Sequence, residues 1–288
     1  MSDILGSLNQ FQKEAVTYQG TPLLILAGAG SGKTRVLTHR AAYFVEQKLA
    51  SPSEVLLLTF TNKAAGEMKE RMGKLLNDNV AKDLFAGTFH SFGCRVLRIY
   101  GKNIGLSPDF VIYDSDDQEN LVRSILSEMG LTTKEFKPSS LLYFIESAKN
   151  SFQSPHLVES QAHGFWESMA AKIYAKYQSR LLQYEALDFN DLLFKTVELF
   201  QQHSEILEKF WQKYHYILVD EYQDTNELQY LLTKLLAAKY QQITAVGDAS
   251  QSIYGWRGAN YQNLSSFLID FPTTKIINLE QNYRSTQN

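Results

Sequence analysis

The sequence predicts an α/β protein: a doubly wound parallel sheet flanked by helices and interrupted by an inserted, all-helical subdomain. Three observations predict it. Short unbroken apolar runs alternate with helix-period segments through the first 110 residues, and unbroken rather than alternating runs mark strands buried on both faces. The pattern turns helix-only from about 114 to 203. Strand-like runs then return at 216–219, 243–246 and 275–278.

Each element follows from local chemistry. Residues 23–27 form an apolar run ending in a glycine-rich turn, and a helical stretch follows over about 33–47. The run at 55–60 leads into a helix over about 63–76, and the run at 84–88 into one reaching about Tyr100. Ser115, Asp116 and Asp117 open the first inserted helix. Pro138, with Ser139 and Ser140, opens another, because proline suits a first helical turn. Residues 166–182 are long and periodic, Asp188 reads as an N-cap, and 150–155 is the loosest linker. The expected organisation is one α/β domain over 1–110 and 204–280, with an insertion over 111–203. No fixed-period repeat is visible.

Composition narrows the class. A chain of 288 residues, 44% hydrophobic and 20% charged, can bury a large core without staples. Its single cysteine, Cys94, excludes an internal disulfide and a four-thiolate zinc site, and fits a reducing, cytoplasmic setting. No apolar run approaches the ~18–20 residues of a membrane helix, and the start lacks a basic-then-apolar leader, so no membrane role is expected. The net charge of −3 argues against a protein whose whole surface binds nucleic acid. Residues 1–110, with 13 Lys and Arg against 9 Asp and Glu, still carry +4, while the rest carry −7. A local groove for DNA is therefore allowed.

The sharpest motif is AGAGSGKT at 27–34: Ala27, Gly28, Ala29, Gly30, Ser31, Gly32, Lys33 and Thr34. A glycine-rich loop between strand and helix lets backbone N–H groups converge on phosphate oxygens, and the helix N-terminus adds partial positive charge. Lys33 is placed to reach the β- and γ-phosphates of ATP, and Thr34 to bring a hydroxyl to Mg²⁺. The strict pattern has glycine where Ala27 stands. An incidental lysine in a glycine turn is the competing reading, and the strand–loop–helix context disfavours it. The acidic half of such a site is YILVDE, where Asp220 and Glu221 end an apolar strand. Asp220 could hold Mg²⁺ and Glu221 could orient and deprotonate the attacking water. Alone, the pair is as well explained by a solvated turn. By composition Arg284 is a surface arginine, although it could reach a γ-phosphate.

Taken in order, LNQFQKEAV, AGAGSGKTR, TFTNKAAGEM, GTFHSF, LDFNDLL, VDEYQDT, VGDASQSIYGWRGA and LEQNYRST resemble the superfamily 1 DNA helicases of the UvrD/PcrA/Rep type across essentially the whole chain. The resemblance implies a RecA-like ATP-binding motor domain, with 281–288 starting a second motor domain that this chain lacks. Gln12 matches the glutamine that reads the adenine edge, Arg35 an arginine beside the base, and Tyr283 a tyrosine stacked on it. Gln251 matches a γ-phosphate sensor linked to DNA, and Arg284 a γ-phosphate arginine. Phe60, Asn62, His90, Tyr254, Trp256 and Arg257 match residues along single-stranded DNA, where bases stack on aromatic faces for roughly 1–3 kcal/mol each. From the residues alone, Phe60 and His90 read as core or capping groups, and Asp188 and Asp191 as helix caps as readily as functional acids. Ser250 and Asn190 stand where relatives often carry aspartate. The resemblance further implies 3′-to-5′ action on single strands and duplex junctions in repair or replication. One motor half is expected to bind ATP·Mg²⁺, hydrolyse it weakly and not unwind. Two other readings stay open: a non-motor protein that binds nucleotide or DNA to regulate a partner, and a P-loop NTPase unconnected to DNA.

Overall fold

The computed structural model describes residues 4–20, 22–28, 30–248 and 261–279. Its strands are β1 Leu23–Ala27, β2 Val55–Thr59, β3 Phe85–Thr88, β4 Val111–Tyr113, β5 Ala186–Asp188, β6 Tyr216–Val219, β7 Ile243–Gly247 and β8 Lys275–Leu279. The helices are α1 Gln10–Thr17, α2 Lys33–Glu46, α3 Asn62–Leu76, α4 Asp78–Ala81, α5 Phe89–Tyr100, α6 Ser115–Glu128, α7 Pro138–Asn150, α8 Pro155–Gln161, α9 Gly164–Gln183, α10 Asp191–Gln202, α11 Ser204–Lys213, α12 Glu227–Ala237 and α13 Tyr261–Asp270. The chain divides into two compact units, residues 1–89 with 205–288, and residues 90–204. The sequence suggested a first boundary after 110; the contacts divide the chain after Phe89, which groups nearly all of α5 with the inserted unit.

The first unit is built on a six-stranded sheet in the order β3-β2-β6-β7-β1-β8, and every pairing in it is parallel. The runs VLLLT of β2 and ITAVG of β7 are buried along their whole length, as expected for strands covered on both faces. Val36, Leu37 and Phe44 of α2 and Met68 and Met72 of α3 pack in one core cluster with Leu23, Ile25, Leu57 and Val246. Parallel pairing brings the carboxyl ends of the neighbouring strands β6, β7 and β1 to one edge, where open α/β sheets bind ligands.

A buried arginine ties α1 to this sheet. Arg40 on α2 is 2% exposed. Its Nη1 donates to the carbonyls of Ala15 (2.7 Å), Val16 (3.3 Å) and Tyr18 (2.6 Å), and its Nε donates to Thr244 Oγ1 of β7 at 2.8 Å. These carbonyls lie at the C-terminus of α1, where unpaired acceptors and the helix dipole favour a cation. Burial pushes the Arg40 pKa down to about 9, which leaves it charged at neutral pH.

The inserted unit is mostly helical, and its cluster is formed by α6, α7, α8 and α9 through residues such as Val122, Ile125, Leu141, Ala171 and Ile173. Asp114 caps α6 by accepting from Asp117 N at 2.9 Å, and Asp117 returns the bond to Asp114 N at 3.2 Å. Gly93 of α5 lies so close to α10 that a Cβ would sit 2.4 Å from the Leu192 carbonyl oxygen, so only glycine fits there. Two expectations need correction. The insertion is not all helix: β4 and β5 form a two-stranded parallel sheet with Val111 opposite Ala186. Three-residue strands are too short for a period of two to register. Asp188 ends β5 rather than serving as the N-cap of α10, a position held by Asn190. Its Oδ1 nevertheless accepts from Asp191 N at 2.9 Å.

Asp188 and Asp191 belong to a buried ionic network. Lys149 Nζ, fully buried on α7, lies 2.5 Å from Asp188 Oδ2 and 2.8 Å from Asp191 Oδ1. Tyr177 OH donates to Asp188 Oδ2 at 3.1 Å, and Gln178 Nε2 to Asp191 Oδ1 at 3.1 Å. Burial, followed by the neighbouring Asp188 charge, raises the Asp191 pKa. Removing the shared cation strands two buried carboxylates. Lys149→Met is therefore expected to cost roughly 3–5 kcal/mol in urea unfolding. The deficit should narrow as pH falls and a stranded carboxyl takes up a proton; a deficit independent of pH would contradict this account.

Candidate active site

The loop after β1 is shaped by glycine. Gly30 (φ +80°) and Gly32 (φ +88°) occupy the left-handed region that side chains disfavour. Ser31 closes the turn on the Gly28 carbonyl, through its N–H at 3.2 Å and its Oγ at 2.8 Å. Ala27 is the last, buried residue of β1, a strand position where a methyl group is accommodated. Gly32 is the N-cap of α2 and offers no side-chain acceptor, so the first N–H groups of α2 keep their capacity for an anion. Ala29 lies outside the described residues.

Four of the expected side chains meet at the ends of β1 and β6. Thr34 Oγ1 donates to Asp220 Oδ2 at 2.8 Å. Lys33 Nζ lies 3.0 Å from Glu221 Oε2 and 3.3 Å from Asp248 Oδ2. Glu221 N donates to Asp220 Oδ1 at 3.1 Å, so Asp220 accepts on both oxygens. Glu221 has φ +50°, a left-handed conformation uncommon outside glycine, and it turns the chain sharply at the strand end. Asp248, just beyond β7, and Gln223 belong to this cluster but were missed from sequence. Gln223 Nε2 donates to Glu221 Oε2 at 2.9 Å and to Asp224 Oδ2 at 3.2 Å, and its Oε1 accepts from Asp248 N at 3.0 Å. The signal that could have found Asp248 is its place: an acid ending a strand adjacent to β1.

Electrostatics at this edge are strained toward neutrality. Burial raises the Asp220 pKa to about 6, helped by the Glu221 charge and opposed by the Thr34 hydroxyl. Burial and the Glu221 charge also raise Asp224. Lys33 is the cation in direct contact with Glu221 and Asp248, so the ammonium is held where several negative groups converge. Thr34 and Asp220 offer hard oxygen atoms side by side, a donor set that fits Mg²⁺, which takes few protein ligands and keeps several waters.

On the outer side of the loop, Gln12 is 2% exposed. Its Oε1 accepts from Asn9 N at 3.1 Å and its Nε2 donates to the Ser31 carbonyl at 3.0 Å, which braces α1 against the loop. Arg35 Nη2 donates to the Ser7 carbonyl at 3.0 Å. Between α2 and α3 lies an open cleft of about 420 Å³ lined by Gly32, Arg35, His39, Arg71, Lys74 and Leu75. Its charged side chains are all basic. Arg71 and Lys74 were not singled out from the sequence, for the motif TFTNKAAGEM ends at Met68, before either of them.

The remaining expected residues are dispersed or lie elsewhere. Phe60 is half-buried and meets Phe89 edge-on at 5.6 Å. Asn62 is exposed and begins α3. His90, in the inserted unit, stacks on Phe189 with ring centroids 3.8 Å apart and planes 20° from parallel. Burial lowers the His90 pKa to about 4, so the ring is neutral at physiological pH and offers a stacking surface rather than a charge. Phe189, 52% exposed, extends that surface and was not singled out from the sequence. Gln251, Tyr254, Trp256, Arg257, Tyr283 and Arg284 lie outside the described residues. No helix among the described residues is long and apolar enough to cross a membrane.

The chain is similar to known proteins along essentially its whole length. Residues 8–272 match the UvrD/REP helicase N-terminal domain. The chain is 47% identical over 287 residues to the ATP-dependent DNA helicase PcrA of Staphylococcus aureus strain Mu50. It is 47% identical over 286 residues to the helicase of that name from Bacillus subtilis strain 168, and 46% identical over 288 to that from Staphylococcus epidermidis. These alignments cover 99–100% of this chain and 39% of each relative. With its parallel six-stranded sheet, glycine-rich loop and paired strand-end acids, the chain belongs to the UvrD/REP helicase family and carries that family's N-terminal domain.

Proposed function

We propose that this chain is the ATP-binding part of an ATP-dependent DNA helicase that moves 3′-to-5′ on single-stranded DNA, acts at duplex junctions in repair or replication, and works in the cytoplasm. The observation that carries the reading is the Lys33 ammonium poised between Glu221 and Asp248, beside the Thr34–Asp220 pair. ATP brings phosphate oxygens to the loop N–H groups and to Lys33. As Lys33 turns to the phosphate, the Glu221 carboxylate is freed to act as a base. It takes a proton from the attacking water while the γ-phosphoryl group leaves ADP. Thr34 and Asp220 would hold Mg²⁺, which would supply charge neutralisation at the phosphates. Gln12, Arg35 and Tyr283 take the base side, and Gln251 and Arg284 sense the γ-phosphate.

DNA recognition rests on stacking. Phe60, Asn62, His90, Tyr254, Trp256 and Arg257 line the strand, and the exposed ring of Phe189 joins His90. The chain spans about 39% of the length of its relatives. A phosphoryl-transfer arginine supplied from outside this half would be worth about 10³–10⁵ in rate, so this chain alone is a weak ATPase and does not unwind.

Two measurements test the reading. Lys33→Ala should abolish ATP binding and turnover, whereas Glu221→Gln should keep binding and lower single-turnover hydrolysis by about 10²–10⁴-fold. Robust strand separation by the purified chain would overturn the half-motor reading. The second concerns pH. A folded pKa near 6 against an ordinary 3.8 means that the folded chain holds the Asp220 proton more tightly than the unfolded chain does. Stability from this group is therefore present below about pH 4 and lost as pH rises through about 6, by roughly 3 kcal/mol in all. Nucleotide-free urea unfolding of the wild type and Asp220→Asn across that range should diverge accordingly; parallel profiles would contradict the assignment.

A further inference from the structure

From this geometry we infer that Gln223 is a positioning residue for hydrolysis: its carboxamide fixes the Glu221 carboxylate and ties it to the backbone at Asp248. The inference rests on Glu221 being the water-activating base. Among the described contacts, two groups hold Glu221 Oε2: Lys33 Nζ at 3.0 Å and Gln223 Nε2 at 2.9 Å. An arriving phosphate competes for the lysine. Gln223 is then the contact that keeps the carboxylate, whose side chain is 35% exposed, from rotating toward solvent.

The fold holds Gln223 in place from several sides. The left-handed Glu221 turns the chain into a short 3₁₀ segment, Tyr222–Asp224. Tyr222 anchors that segment, packing edge-on against Phe267 at 5.3 Å, and Thr225 Oγ1 closes it by donating to the Tyr222 carbonyl at 2.7 Å. Gln223 is 3% exposed, and its carboxamide donates to two carboxylates while accepting from Asp248 N. Gly247 gives the acceptor end room: a Cβ there would stand 3.2 Å from Gln223 Oε1, close enough that the carboxamide would have to give by a few tenths of an ångström. One amide thus joins the base at the end of β6 to the first residue after β7.

The test combines single-turnover ATP hydrolysis, with the chain in excess, and amide hydrogen exchange at Asp248 followed by NMR. Gln223→Met keeps the volume and removes both ends of the bridge. It should slow hydrolysis by about 10²-fold, the scale of a mispositioned reacting group, while ATP affinity stays within about threefold. It should also speed exchange at the Asp248 amide. Gln223→Glu keeps the acceptor for that amide but sets a like charge against Glu221, so it should lose hydrolysis and retain protection. Gly247→Ala, which leaves Gln223 itself intact, should slow hydrolysis to a lesser degree. Glu221→Ala should speed exchange at Asp248 although no described contact joins the two residues directly. Wild-type hydrolysis in Gln223→Met would overturn the positioning role, and unchanged Asp248 exchange in Glu221→Ala would overturn the tie. If Glu221→Gln itself hydrolyses at the wild-type rate, it is the assignment of the base that fails, and the exchange measurements still decide whether the bridge exists.

Discussion

The first unit is organised around one ammonium group. Lys33 stands at the start of α2, and its Nζ lies between carboxylates delivered by β6 and β7, the two strands that follow one another beside β1. That meeting requires three parallel strands in adjacent positions and a loop tight enough to begin α2 immediately after β1. Gly30 and Gly32 supply the tightness, and the six-stranded order supplies the adjacency. The insertion of more than a hundred residues between β3 and β6 leaves the order intact, because parallel neighbours need only a long connection, not a short one. Asp220, Glu221 and Asp248 converge at the strand ends because the sheet topology brings them there, while their proximity to one another is electrostatically unfavourable without a cation.

Much of this was legible in the sequence, for physical reasons that differ by element. Strands β1, β2, β6 and β7 announce themselves because a strand covered on both faces carries no charged residue to interrupt it. The phosphate loop is legible because its backbone demands glycine at fixed places. Lys33, Thr34, Asp220 and Glu221 could be placed together once strand ends were known to share an edge. What escaped notice depended on contacts distant in sequence. Asp248 and Gln223 matter because β6 and β7 are neighbours. Lys149 matters because α7 packs where it can reach Asp188 and Asp191, 39 and 42 positions later. The strands β4 and β5 escaped because three residues carry no period, and Asp188, at a strand end, bonds to Asp191 N much as an N-cap would.

Three buried cations show how differently a fold can satisfy a charge. Arg40 has no carboxylate among its described bonds and is met by carbonyls at the end of α1, where the partial charges of a helix terminus do the work of a counter-ion. Lys149 is enclosed by two carboxylates that are themselves bonded by Tyr177, Gln178 and backbone N–H groups. Both sites rigidify what they touch: Arg40 clamps α1 to α2 and β7, and Lys149 binds α7 to the β5–α10 turn.

Lys33 differs from both in one respect that bears on chemistry. Its partner Glu221 keeps about a third of its side chain exposed, while Asp220, Gln223 and Asp248 around it are buried. A site built only for stability would have no reason to leave one acid open, to bend its backbone to φ +50°, or to hold a neighbouring carboxyl near a pKa of 6. On the proposed reading, a divalent cation at Thr34 and Asp220 would relieve the crowded Asp220 carboxyl, while a phosphate that draws Lys33 away would leave Glu221 held by Gln223 and free to act on water.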